Sequence, residues 1–192
     1  AEHFVGLGKK VLVSTTTHIF QPACNFAQSL AEVEALWQAG SYAVVGNVEA
    51  GTGKLTQLLT EVFEKYSDLA DLVLIEADGA KRLPCKAPAE NEPVLLPASD
   101  TVIAVMGLDA LHHPIKEVCF RLEKVQEVLG VMPEHCLTEE DAVKLLLSEQ
   151  GAFKNVGQRN YFIVLNKCDD KNKLDSALKI KSLLEKEGFA LE

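Results

Sequence analysis

Basic residues are in short supply: 19 Lys and Arg stand against 28 Asp and Glu, a formal net charge of −9 over 192 residues. That balance argues against non-specific binding to nucleic acid or to anionic lipid, since both need a surplus of Lys and Arg. A small anionic ligand held in a local pocket stays open. Long apolar runs are missing as well. None approaches the roughly 18 residues of a membrane span, and residues 1–8 lack the basic start and apolar core of a signal peptide. Five cysteines (Cys24, Cys85, Cys119, Cys136 and Cys168) are an odd number with no C-x-x-C pair. A disulfide framework or a structural zinc site is therefore disfavoured, and reduced thiols in the cytoplasm are expected. The adjacent His112 and His113 also lack metal-ligand spacing, and core or surface roles are expected for them. There is no internal repeat and no low-complexity linker.

What remains is the make-up of a soluble globule, 47% apolar and 24% charged. The length suits a single domain, here residues 1–192. A chain of this size buries roughly two thirds of its unfolded surface and folds without staples. Disorder, collagen and coiled coil are excluded.

Apolar, β-rich runs alternate with helical patterns. Strands are expected at 10–15, 42–46, 72–77, 102–106 and 161–165, each nearly continuous in Val, Ile and Leu, as in parallel strands covered on both faces. Leu55, Leu58, Leu59, Val62, Phe63 and Tyr66 recur at helical spacing, as do Ile115, Val118, Cys119, Leu122, Val125 and Leu129. Thr138-Glu139-Glu140-Asp141 resembles a capping box opening a helix through Leu147. A last helix is expected over 173–187, stopped by Gly188, and Gly8 is expected to end an earlier one. The order predicts an α/β fold with a doubly wound, mostly parallel sheet and helices on both faces. In such sheets ligands sit beyond the carboxyl ends of the strands.

Three of those ends carry chemistry. At 164–169 a buried strand runs into Asn166-Lys167-Cys168-Asp169, an N-K-x-D pattern. Asp169 can accept two hydrogen bonds from the N1–H and 2-amino edge of guanine, Asn166 can bond the purine, and the Lys167 stem can lie across the base. Adenine, lacking the 2-amino group, would leave the carboxylate half-paired. The bland alternative is a polar loop, since these residues are common after strands. At 72–81 a strand ends in Glu76 and Asp78, followed by Gly79 and Lys81. Extended geometry would put both carboxylates on one side, where they could hold Mg²⁺, directly or through water. Gly79 allows an abrupt turn or close approach of a backbone N–H to a γ-phosphate. The alternative is an Asp-Gly turn with a solvated Glu, although Glu76 directly after four apolar residues is costly to bury without a partner. At 11–18 a strand ends in Ser14, Thr15, Thr16, Thr17 and His18. These hydroxyls could bond phosphate or complete a magnesium shell, or could simply satisfy loop backbone. His18 could bond phosphate or act as acid or base.

Gly51-Thr52-Gly53-Lys54-Leu55 fails the phosphate-loop pattern twice, with Val48 where the first Gly belongs and Leu55 in place of the hydroxyl. It is expected to be a turn and helix start. Gly6-x-Gly8 precedes a strand and is no dinucleotide fingerprint. Residues 81–88 (KRLPCKAP) form a basic, proline-stiffened run inside an acidic chain, either a nucleotide-sensing switch or a solvated loop.

Taken together, residues 11–20 (VLVSTTTHIF), 74–93 (LIEADGAKRLPCKAPAENEP), 105–111 (VMGLDAL) and 164–169 (VLNKCD) resemble the selenium-dependent hydroxylase accessory proteins of the YqeC type. The resemblance implies a P-loop NTPase-like, Rossmann-like three-layer fold. It also implies a role in maturing selenium-dependent molybdenum hydroxylases. On that likeness Thr15, Thr16, Thr17, His18, Glu76, Asp78, Lys81, Lys86, Glu90, Glu92, Asn166, Lys167 and Asp169 would line a nucleotide site. It also implies a strand, a G-K-[ST] loop and a helix ahead of the segment matching 10–19; the sequence opens inside what reads as the last turns of that helix. Residues 189–191 resemble the start of a sixth strand.

The expected function is a GTP-binding accessory factor with Mg²⁺, Glu76 and Asp78 serving metal and catalysis. The expected partners are the nucleotide and a molybdenum hydroxylase or its cofactor, with no nucleic acid and no membrane. Two alternatives stay open: a non-catalytic module binding a molybdopterin-type cofactor or a client enzyme, and a nucleotidyltransferase acting on that cofactor.

Overall fold

The computed structural model describes residues 1–189, and the chain divides into two compact units, Ala1–Gly79 and Ala80–Glu192. The expected sixth strand therefore falls largely outside the described residues; Phe189 alone is described, edge-on to the Tyr161 ring at 5.8 Å.

The first unit contains helix α1 (Glu2–Gly6), strands β1 (Val11–Thr15) and β2 (Ile19–Phe20), helix α2 (Leu30–Gln38), strands β3 (Ala43–Val44), β4 (Asn47–Glu49) and β5 (Lys54–Thr56), helix α3 (Thr60–Ser67) and strand β6 (Leu72–Glu76). β1 lies between β3 and β6 and is parallel to both. Its buried residues Val11 and Leu12 head the unit's interior, where Leu12, Val33, Ala43, Val45 and Tyr66 pack with Leu36, Trp37, Val62 and Phe63 from the helices. Ser29 caps α2 by accepting from the Glu32 N–H, and Glu32 returns a bond from the Gln28 N–H at 2.7 Å. The chain leaves α1 through Gly8, at φ +76°, as its sequence position suggests.

One expected helix start is displaced. Gly51 and Gly53 adopt φ +78° and +65° and turn the chain into a hairpin. Residues 54–56 therefore become β5, antiparallel to both β2 and β4, and the helix begins only at Thr60. Leu55 is fully buried from the strand and not from a helix face. The strand expected at 42–46 narrows to Ala43–Val44.

The second unit contains β7 (Cys85–Lys86), β8 (Thr101–Gly107), a 3₁₀ turn (Leu108–Ala110), α4 (Ile115–Val118), β9 (Cys119–Phe120), α5 (Leu122–Leu129), α6 (Glu139–Leu147), β10 (Asn160–Asn166) and α7 (Lys171–Lys186). β8 and β10 pair in parallel over seven residues, and so do β7 and β9 over two. The core gathers Met106, Leu108, Ile115, Val125, Leu137, Leu146, Ile180 and Leu184. Buried Glu139 ties α6 to α7 through Ser176 at 2.7 Å and Lys179 at 3.1 Å. Each unit is thus α/β, a parallel sheet flanked by helices, as in Rossmann-like folds.

Two expectations need correction here. The helical run from Ile115 to Leu129 is broken: Arg121 takes φ +57°, and Cys119–Phe120 is extended and pairs with β7. The β8–β10 sheet is also not covered on both faces. Ile103, Val105, Phe162 and Val164 point outward and remain about half exposed, in the register pairs Phe162↔Ile103 and Val164↔Val105. A continuous apolar strand has apolar residues on both faces by its period of two, but only one face here meets a helical layer.

The capping box forms in full: Thr138 Oγ1 accepts from the Asp141 N–H at 3.2 Å, and Asp141 accepts from the Thr138 N–H at 3.0 Å. Burial alone would raise the Asp141 carboxyl, but hydrogen bonds from His135 and then from Thr138 hold it below its usual value. We expect Thr138→Ala to cost about 1 kcal/mol, read as a lower urea midpoint at unchanged slope. Because the folded carboxyl is depressed, its stabilisation is whole above the ordinary Asp range. It is lost as pH falls through the folded value, and Asp141→Asn should flatten that acid limb.

Candidate functional site

In the first unit the parallel register sets Thr15 directly opposite Glu76, at the carboxyl ends of β1 and β6. Thr15 is buried, and its hydroxyl donates to the Glu76 carbonyl at 3.0 Å and lies 3.1 Å from Glu76 Oε2. The Thr17 hydroxyl donates to the same carboxylate oxygen, and the Thr17 N–H donates to Thr15 Oγ1 at 2.9 Å. The Thr16 N–H donates to the Glu76 carbonyl at 3.0 Å, which closes the turn after β1 onto β6. Ser14, also buried, donates instead to the Val45 carbonyl at 3.1 Å. Glu76 is the last residue of β6, so Asp78 lies in the loop beyond the strand. A Cβ on Gly79 would come within 3.2 Å of Glu76 Oε1, so a side chain there would crowd the carboxylate.

His18 is mostly exposed, with Nε2 3.7 Å from Glu49 Oε1 on β4. The Thr52 hydroxyl donates to the same Glu49 side chain at 2.6 Å, which anchors the Gly51–Gly53 turn. The surface cleft of this unit lined by Ala27, Val45, Leu58, Val62 and Tyr66 contains none of the candidate residues.

In the second unit Asn166 ends β10 opposite Gly107, the last residue of β8. Lys167 follows in the left-handed region at φ +61°, with its N–H donating to Asn166 Oδ1 at 2.8 Å. Its ammonium pairs with Asp109 Oδ2 at 2.6 Å. Asp169 is exposed, 3.8 Å from Lys173 Nζ, and Asp170 caps α7 by accepting from the Lys173 N–H at 2.9 Å. The N-K-x-D motif therefore spans the whole connection from strand end to helix cap. Asp109 is a member of the cluster that the motif reading missed; its Oδ1 is buried with no hydrogen-bond partner among the described residues. Glycine is required at 107, because a Cβ there would sit 2.4 Å from Asp109 Oδ1 and 2.8 Å from the Pro84 Cβ.

The basic run follows a tight turn in which Lys81 and Arg82 take φ +48° and +66°. Lys86 bonds Glu92 at 3.2 Å, and Arg121 grips the same carboxylate with both arms, one at 2.7 Å. Glu90 contributes its carbonyl, which accepts from Lys154 at 2.8 Å. Arg121 and its neighbour Phe120 escaped sequence reasoning because they lie inside what reads as one continuous helix. Cys85 and Cys119 are both buried and are register partners across β7 and β9. Cys85 is pushed well above the usual thiol value, first by its hydrogen bond with Cys119 and then by burial, while that bond lowers Cys119. Among the described residues, no group of three or more His, Cys, Asp or Glu is arranged to hold a metal ion. No described helix is long and apolar enough to cross a membrane.

The profile of the family described as YqeC protein matches residues 1–123. The chain is also 33% identical over 166 residues to the protein called "Uncharacterized protein YqeC" of Escherichia coli (strain K12); the aligned region covers 82% of this chain and 65% of that relative. The chain thus belongs to the YqeC family. It spans about 65% of the length of that curated relative. No solved structure matches it.

The thiol geometry gives a direct check. In the native protein Cys24, Cys136 and Cys168 should react rapidly with an aromatic disulfide reagent, whereas Cys85 and Cys119 should react only after denaturant is added.

Proposed function

We propose that this chain binds a guanine nucleotide with Mg²⁺ and serves as an accessory factor in maturing a selenium-dependent molybdenum hydroxylase. The observation that carries the nucleotide reading is the cluster at the carboxyl ends of β1 and β6, where Thr15 and Thr17 both direct their hydroxyls at the Glu76 carboxylate. A carboxylate prepared in this way at the end of a parallel strand lies where α/β folds bind their ligands. The maturation role rests on the family resemblance carried by residues 74–93, and a cytoplasmic location on the unpaired thiols.

The donor types suit Mg²⁺, which takes hard oxygens and keeps several waters: the Glu76 carboxylate with the Thr15 and Thr17 hydroxyls at it, and the carboxylate of Asp78 two residues further on. Glu76 and Asp78 would hold the ion, and when bound it would offset charge on the phosphates. Thr15, Thr16, Thr17, His18 and the Gly79 backbone would contact phosphate oxygens. Of the second unit, Lys81 and Lys86 would be nucleotide-binding residues. In the second unit Asp169 would accept from the guanine edge, Asn166 would bond the purine, and Lys167, braced by Asp109, would lie along the base. Hydrolysis follows as a proposed activity, with Glu76 orienting the attacking water.

In the full-length chain we expect Asp169→Asn to lower GTP affinity by roughly 10- to 100-fold and to raise affinity for xanthosine triphosphate. Unchanged selectivity would overturn the guanine assignment. Release of phosphate supports hydrolysis. Pyrophosphate release would point instead to nucleotidyl transfer, and binding without either product to a non-catalytic module.

A further inference from the structure

The second unit holds a concentration of positive charge that runs against the acidic balance of the chain. Lys81 Nζ, Lys86 Nζ and Arg121 Cζ lie 4.9, 5.6 and 4.7 Å from the centroid of the Phe120 ring. Three like charges this close repel one another. The negative face of the ring offsets part of that cost, and Glu92 offsets more through Lys86 and Arg121.

We propose that Lys81, Lys86 and Arg121 form a site for a phosphate or pyrophosphate group, in which the Glu92 carboxylate occupies the place of the anion until the ligand arrives. The inference deepens the nucleotide reading, on which it rests for Lys81 and Lys86, and it adds Arg121 as the residue that recognises the oxyanion. Four features carry it.

The first is shape. Arg121 holds Glu92 through both guanidinium arms, Nη1 to Oε2 and Nη2 to Oε1, and a fork that fits two carboxylate oxygens fits two phosphate oxygens equally. The second is valence. A phosphate brings a third oxygen, and Lys81 meets the ring face but no carboxylate among the described residues. The third is environment: the Lys86, Arg121 and Glu92 side chains are only 13%, 22% and 18% exposed, which strengthens charge pairing over a fully solvated site. Lys81 and Arg82 stand in solvent, so a ligand has an approach. The fourth is backbone conformation. Lys81, Arg82 and Arg121 all lie in the left-handed region, at φ +48°, +66° and +57°, which non-glycine residues occupy only when their surroundings compel it. Such positions gather where side-chain direction serves a ligand, and here two of the three, Lys81 and Arg121, are cations of the Phe120 cluster.

The test is calorimetric titration of inorganic pyrophosphate into the 192-residue chain without Mg²⁺, at low and at high salt. Binding that weakens with salt is expected. Arg121→Lys, which keeps the charge but loses the fork, should weaken it about tenfold or more, and Lys81→Met should weaken it several-fold. Glu92→Gln should tighten it several-fold by removing the competing carboxylate; a purely structural ion pair would give no gain. Thermal melts of each variant separate lost binding from lost fold. Absence of pyrophosphate binding by the parent chain, an unaffected Arg121→Lys, or weaker binding by a folded Glu92→Gln would overturn the proposal. The probe carries no base, so those results leave the Asp169 reading standing. Conversely, pyrophosphate binding without guanine selectivity would overturn that reading and leave this site in place.

Discussion

Parallel pairing is the constraint on which both units depend. Neighbouring parallel strands deliver their carboxyl ends to the same edge, and whatever residues stand there are brought together by register. In the first unit the register from Val11↔Leu72 to Thr15↔Glu76 places a buried threonine against a strand-end carboxylate. In the second, Asn160↔Thr101 to Asn166↔Gly107 places the start of N-K-x-D beside the loop that carries Asp109. A slip of one residue in either pair would turn every side chain to the other face and dissolve the cluster. The hydrogen bonds around Glu76 and the Asp109–Lys167 pair are consequences of that register as much as of the residues themselves.

The candidate residues divide by chemistry. Around Glu76 the groups are the Thr15 and Thr17 hydroxyls and the carboxylate itself, all hard oxygens. Around Phe120 they are ammonium and guanidinium groups, which suit an oxyanion. The net charge of −9 describes neither neighbourhood. Global charge limits what the whole surface attracts over a Debye length, but a half-buried cluster responds to the charges within a few ångströms. A locally basic patch in an acidic protein is therefore no contradiction.

The residues were legible where chemistry is local. The capping box at Thr138 and the strands ending at Thr15, Glu76 and Asn166 follow from short patterns, and they recur in the structure within a residue or two. Long-range and conformational facts were not legible. No local pattern states that Thr15 and Thr17 meet Glu76, because register between β1 and β6 is settled across some sixty residues of chain. Arg121 stayed hidden because helical spacing runs on through Cys119 and Phe120, and a left-handed φ at a non-glycine residue leaves no trace in propensity. Asp109 lay inside the segment 105–111 without a role, since its pairing with Lys167 depends on the β8–β10 register. Gly51 and Gly53 misled in the opposite direction. They resemble the start of a helix, but their freedom at positive φ makes a hairpin, which moved Leu55 from a helix face to a strand.

The central claim is that these strand ends serve a guanine nucleotide. It is tested most directly by calorimetric titration of GTP against ATP with Mg²⁺ on the full-length chain. The account predicts binding of GTP that is at least about tenfold tighter than that of ATP, the discrimination expected from a carboxylate paired with the guanine edge. Equal affinity for the two, or no binding of either, would contradict it.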